Sequence, residues 1–116
     1  MHIVITRSFN KRVRNFIKKK NYRKIDDDIL PAYEAIIAGN LIGEDIQELG
    51  LPEGHKVFKE YLPNSSANVG KSNGFRLIYY YDSNQSKVYF LTIYSKKDQE
   101  DIENKEIKRL IKLYCT

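Results

Sequence analysis

Residues 70–97, GKSNGFRLIYYYDSNQSKVYFLTIYSKK, decide the fold. Residues 75–81 and 88–94 are dense in the β-branched and aromatic side chains that suit a pleated, half-buried surface. Residues 82–87 between them carry turn chemistry. The stretch reads as a β-hairpin framed by Lys71, Arg76, Lys96 and Lys97. With Asn84 and Gln85 at the turn centre, Arg76 falls opposite Ile93 and shares a face with Ile78, Tyr80, Tyr89 and Leu91. Phe75, Leu77, Tyr79, Phe90 and Tyr94 take the other face. Both faces are apolar, so each is expected to be covered at least in part.

Upstream, residues 2–6 alternate around Ile3 and Ile5 as a short strand, and Ser8 is placed to cap a helix. From Phe9 the apolar residues Phe9, Val13, Phe16 and Ile17 fall at helical spacing, surrounded by Lys11, Arg12, Arg14, Lys18, Lys19 and Lys20. This predicts an amphipathic, strongly basic helix. A second helical stripe, Ile25, Ile29, Tyr33, Ile36 and Ile37, runs through residues 22–38. Asp26, Asp27 and Asp28 stand near its positive dipole end, and Pro31 is expected to bend or split it. Gly39 and Asn40 stop it, and residues 41–54 read as an irregular connection. HKVFKEYL, residues 55–62, predicts a strand with Lys56, Phe58 and Glu60 on one face and Val57, Lys59 and Tyr61 on the other. The polar PNSSANVGKSNG is expected to be a mobile loop beside the basic hairpin. After the hairpin, Ile102, Ile107, Leu110, Ile111 and Tyr114 mark a helix to the chain end.

The order is strand, helix, helix, three strands, helix. It predicts one α+β domain over residues 1–116, a helical hairpin packed on a small antiparallel sheet. At 116 residues, 41% apolar and 30% charged, the chain has the material for a core without disulfides or a structural metal. No run is long enough to span a membrane and the first residues lack the pattern of a signal peptide, so no membrane partner is expected. The single Cys115 fits a reducing cytoplasm.

Charge is segregated. The net charge is +5, yet residues 7–24 hold nine Lys/Arg and no acid, residues 25–60 nine acids against two lysines, and residues 61–97 five Lys/Arg against Asp82. Such a distribution gives the molecule a pole attractive to phosphates. Several chemistries lack material: His2 and His55 are isolated, one cysteine cannot build a zinc site, and the three adjacent aspartates point in different directions on a helix. SSANVGKS resembles a phosphate loop, but Ser65 stands where its first glycine is required and a strand follows it. Lys and Arg beside tyrosines remain, the pairing that suits single-stranded RNA, where cations neutralise phosphate and rings stack on bases.

GKSNGFRLIYYY, YFLTIYSKKDQEDI and EIKRLIKL resemble the C-terminal half of the RelE/ParE superfamily of bacterial type II toxins, nearest the RelE/HigB-like mRNA interferases. The likeness covers residues 55–113, with only element order agreeing over residues 1–54. It implies an α+β toxin domain that cleaves mRNA in the ribosomal A site by attack of a ribose 2′-hydroxyl on the adjacent phosphate, without metal or cofactor. It implies as partners an antitoxin protein, in a hetero-oligomer, and the ribosome with its mRNA. Carried over by motif, Lys59, Lys71, Arg76, Tyr94, Lys96 and Lys97 are the expected catalytic residues, with Arg76 stabilising the transition state, Lys59 or Lys71 as base and Tyr94 stacking on a base. Lys56, Lys71, Lys96 and Lys97 are the expected RNA contacts. The chain departs from the pattern at Tyr61 and Lys97, each in place of a basic residue or arginine, and at Glu103, in place of a catalytic tyrosine. The ParE branch implies instead a non-nuclease inhibitor of DNA gyrase, and a plain RNA-binding domain is the third alternative.

Overall fold

A computed structural model describes residues 1–115. Along the chain it has β1 (His2–Ile5), α1 (Arg7–Lys20), α2 (Ile25–Ile37), β2 (Glu44–Asp45), β3 (His55–Leu62), β4 (Phe75–Asp82), β5 (Lys87–Ser95) and α3 (Asn104–Tyr114). Thr116, at the end of the expected last helix, lies outside the described residues.

The architecture is α+β. β3, β4 and β5 form the expected antiparallel meander, and the five strands are ordered β1-β5-β4-β3-β2. The expectation of a wholly antiparallel sheet is corrected, because β1 pairs with β5 in parallel. A period of two reports which residues face the core and carries no information on strand direction. α1 and α2 pack on one face, where Phe9, Phe16, Ile25 and Ile36 meet Phe58, Phe75, Leu77, Tyr79 and Phe90. α3 covers the other face, setting Ile107, Leu110 and Ile111 against Val57, Ile78, Tyr80, Leu91 and Tyr94.

The hairpin turn is where residues 82–87 place it, with Asp82 opposite Lys87 and Asp82 Oδ1 accepting from the Asn84 and Gln85 N–H groups at 2.9 and 3.3 Å. The register then slips: Tyr79 pairs with Phe90 but Ile78 pairs with Thr92, leaving Leu91 as the extra residue of a bulge. Beyond it Arg76 lies opposite Tyr94, not Ile93. Ile93 turns to the α1/α2 face and Tyr94 to the α3 face, the reverse of the expected assignment, because one inserted residue flips every later side chain.

Other local differences have equally specific causes. Thr6, not Ser8, caps α1: its Oγ1 accepts from Phe9 N–H at 3.2 Å and donates to the Phe90 carbonyl at 2.7 Å. α2 begins at Ile25 and runs unbroken through Pro31, which lies exposed where the carbonyl it leaves unbonded can turn to water. The connection 41–54 contributes β2, two residues on the outer edge of β3.

The segment after β3 is tied down where a mobile loop was expected. It holds two single 3-10 turns, Ser65–Ala67 and Lys71–Asn73. Asn64 is buried and pairs with Val69, Ser65 N–H donates to Asp28 Oδ2 at 3.1 Å, and Lys96 N–H donates to the Gly74 carbonyl at 3.0 Å. At Gly74 a Cβ would stand 2.1 Å from the Leu62 carbonyl oxygen and 2.8 Å from Asn64 N, both main chain. Gly74→Ala is therefore expected to lower the unfolding free energy by about 1–3 kcal/mol, as overpacking against fixed atoms does. Denaturant unfolding of the variant checks this, and an unchanged midpoint would show that the two segments can separate freely.

Candidate functional site

Three adjacent strands set one row of side chains across the sheet. Tyr61 of β3 is opposite Arg76 of β4, which is opposite Tyr94 of β5, and Lys59 lies one step along β3, opposite Ile78. The pleat and the Leu91 bulge place Lys59, Tyr61, Arg76 and Tyr94 on the α3 face, at the end of the sheet where residues 63–74 and the 96–103 connector meet.

Arg76 is only 5% exposed. Its guanidinium carbon stands 4.4 Å from the centroid of the Tyr61 ring. Its Nη1 donates to the Lys71 carbonyl at 2.7 Å and more weakly to Phe75 at 3.3 Å, and Nη2 donates to the Ser72 carbonyl at 2.9 Å. The planar fork spans two carbonyls of a 3-10 turn with donors fixed in one plane, a geometry that an ammonium does not supply. Arg76 thus fixes the main chain that presents the exposed Lys71. Tyr61 is held in turn by its hydroxyl, which donates to Glu44 Oε1 at 3.0 Å.

The second centre is one oxygen atom. Asp101 Oδ1 accepts from Lys59 Nζ at 3.0 Å, from the Tyr94 hydroxyl at 3.1 Å and from Ile102 N–H at 2.8 Å. The Lys59 side chain is 13% exposed and that of Asp101 63%, so the carboxylate faces water and the ammonium lies behind it. Partial burial works against ionisation of Asp101, but the hydrogen bonds from Lys59, Ile102 N–H and Tyr94 outweigh it and hold its carboxyl below the usual range. Burial raises the Tyr94 phenol, and the Asp101 charge and the hydrogen bond to it raise it further, against a smaller opposing effect of Arg76. Tyr94 is therefore a proton-bearing donor across the physiological range.

Of the residues singled out in the sequence, Lys59, Arg76 and Tyr94 come together on this face, and Arg76 ties the Lys71 turn to them. Lys96 and Lys97 leave β5 just beyond Ser95, which pairs with Phe75. They enter at the same end, Lys96 half-buried and Lys97 exposed. Tyr94 is 1% exposed, so only its hydroxyl edge, and not its ring face, is presented. Lys56 does not join the group. It shares the parity of Phe58 on the opposite face, pairs with Tyr81 toward the far end of β3, and lies 3.5 Å from Asp45. Asp101 was missed in the sequence. It is one of four acids within residues 98–103 and no spacing rule distinguishes it.

At the turn end of the hairpin His55 acquires neighbours that its sequence position did not reveal. Its Nδ1 is hydrogen-bonded to the Tyr80 hydroxyl, and Nε2 lies 3.5 Å from Asp82 Oδ1. Tyr80 is 3% exposed and burial pushes its phenol up to about 12. Burial likewise pushes the nearby Cys115 thiol up to about 12, so neither is an ionised nucleophile at neutral pH. Among the described residues no group of three or more His, Cys, Asp or Glu is placed to hold a metal ion, and no helix is long and apolar enough to cross a membrane. No protein-family model and no curated protein matches the chain.

Two outcomes follow from this geometry. Arg76→Ala, and Arg76→Lys nearly as much, should lower the unfolding free energy by about 1.5–3 kcal/mol, the worth of a charge-assisted hydrogen bond lost from a buried site. Equal denaturant midpoints would show that the fork does not hold the turn. Asp101 has a folded-state carboxyl below its unfolded value, so its stabilisation is complete above the unfolded pKa and lost as pH falls through the folded one. The stability of Asp101→Asn should accordingly fall less steeply than that of the wild type on acidification below about pH 4, as read by thermal unfolding across that range.

Proposed function

We propose that the chain is a metal-independent endoribonuclease of the RelE/ParE kind, the toxin of a type II toxin-antitoxin pair that cuts mRNA on the ribosome. The observation that carries the reading is the convergence of the Lys59 ammonium and the Tyr94 hydroxyl on a single anionic oxygen, at the end of the sheet where Arg76, Lys71, Lys96 and Lys97 also gather. Two donors aimed at one point suit a non-bridging phosphate oxygen that gains charge while displacement proceeds at phosphorus.

In this reading the 2′-hydroxyl oxygen attacks the adjacent phosphorus and the bond from phosphorus to the 5′-oxygen breaks. The products are a 2′,3′-cyclic phosphate and a 5′-hydroxyl. The attacking hydroxyl's proton passes to the neutral amine form of a lysine, with Lys71 the exposed candidate, and the leaving 5′-oxygen takes a proton from the ammonium of Lys96 or Lys97 at the same end of the sheet. Lys59 contacts the charge that develops on the phosphorane oxygens. Arg76, enclosed by main-chain carbonyls, contributes its positive field and the placement of the Lys71 turn, not direct contact. The ribosome and mRNA would be met by the basic surface of α1 and residues 96–97, and a cognate antitoxin would restrain the free toxin.

Primer extension on a translating mRNA tests this. The wild type should produce discrete breaks within A-site codons. Lys59→Met and Lys71→Ala should each reduce cleavage by about a hundred-fold, as loss of one transition-state donor or base does. Absence of breaks with the wild type would overturn the reading and leave RNA binding or inhibition of DNA gyrase. Undiminished cleavage by both variants would remove these lysines from the chemistry.

A further inference from the structure

We propose that the Asp101 carboxylate is an internal stand-in for an RNA phosphate, occupying a phosphodiester site built by Lys59 Nζ and Tyr94 Oη, and that a bound strand fills this site by displacing it. The inference rests on the RNA-directed reading above and adds to it a self-blocking contact and the identity of the blocked site.

The geometry is that of a bound anion. Both side-chain donors reach the same Asp101 oxygen, Lys59 at 3.0 Å and Tyr94 at 3.1 Å. A non-bridging phosphate oxygen carries a comparable charge and accepts from an ammonium and a hydroxyl in the same way. The donors stand on strands and the acceptor does not. Lys59 stands on β3 and Tyr94 on β5, the two strands that flank β4, with the Lys59 side chain 13% exposed and Tyr94 packed in the core under α3. Asp101 belongs to the connector between β5 and α3, outside both elements. Its remaining hydrogen bond through Oδ1 is to Ile102 N–H, which lies before the helix begins. Swinging the carboxylate out therefore breaks no ladder bond and no helical bond.

The energetics favour exchange. With its side chain 63% exposed, Asp101 regains little hydration that it lacks already, whereas Lys59, at 13%, must have an anion against it to offset its burial. Exchange of carboxylate for phosphate keeps that pairing intact. The cost falls on affinity, since the strand must compete with a tethered anion. Asp101 also lines an open cleft of about 510 Å³ with Gln99, Ile102, Glu103, Lys105, Glu106 and Arg109, into which the departing carboxylate can turn.

The test is the binding of a fluorescently labelled, uncleavable 2′-O-methyl hexauridylate to the full chain. Asp101→Asn should bind about three- to ten-fold more tightly than the wild type, because the strand no longer competes with a tethered anion. In the Lys59→Met background the same substitution should have no greater effect than Glu100→Gln, an exposed acid outside the contact. No gain from Asp101→Asn, or a gain that persists without Lys59, overturns the proposal. The wild type supplies a measurement that needs no variant to fold. Saturating oligonucleotide should raise the Asp101 carboxyl titration, followed by carbon NMR, toward the ordinary carboxylate range, and an unmoved titration overturns the proposal equally. Because the probe cannot be cut, the two readings fail separately. A Lys59-dependent gain with no mRNA cleavage keeps the phosphate site and removes the nuclease, and cleavage with no gain does the reverse.

Discussion

Seven of the eight residues of β4 are buried, and a strand apolar on both sides can be stable only at the centre of a sheet with a layer on each face. α1 and α2 supply one layer and α3 the other, so the last helix is as necessary to the core as the helical hairpin. The same burial explains the treatment of β5. β1 pairs with it only as far as Phe90. Beyond that point Thr6 donates to the Phe90 carbonyl through both N–H and Oγ1, and Arg12 Nε donates to the Ile93 carbonyl at 3.1 Å, which pairs carbonyls that β1 no longer reaches. The buried tyrosines follow a related rule. Tyr79 donates to the Ile42 carbonyl, Tyr80 meets His55 and Tyr94 meets Asp101, each phenol reaching the edge of the core where a polar partner stands.

The features legible in the sequence were those carried by side-chain period and turn chemistry: the helical hairpin, the strand at residues 55–62, the β4–β5 turn and the α+β order. Three features were not. The direction of β1 leaves no trace in alternation. The bulge at Leu91 is silent because residues 90–93 are apolar on either side of it, apart from Thr92, so a one-residue slip costs no visible mismatch. β2 is two acidic residues recruited by an open edge, with no propensity of its own. The site divided in the same way. Arg76 was marked by its place at the head of the hairpin, and Lys59 and Tyr94 as site residues by the resemblance alone, but the partners of all three could not be read. Whether an arginine at the head of a strand points into solvent or closes on the carbonyls of the preceding turn depends on main-chain geometry that composition does not encode. Asp101 meets Lys59 across forty-two residues of sequence through an irregular connector, beyond the reach of any periodic signal.

The two central cations are confined by opposite means, and the difference determines what each can do. Arg76 is surrounded by neutral acceptors, the carbonyls of Lys71, Phe75 and Ser72, and by the face of the Tyr61 ring. Its positive charge is solvated by dipoles, so its field persists outside the protein and is felt by an approaching phosphate before contact. Lys59 is instead paired with a full negative charge, which cancels most of its field at a distance and leaves its strength to be expressed only at close range. An end of the sheet that held both cations uncompensated would attract any polyanion. One that paired both would leave the attraction to Lys71, Lys96 and Lys97 alone. Leaving the rigid arginine unpaired and giving the reachable lysine to an exposed carboxylate yields steady attraction together with a contact that must be exchanged, and exchange at one defined oxygen favours a ligand that can present an anion there between the ammonium and the Tyr94 hydroxyl.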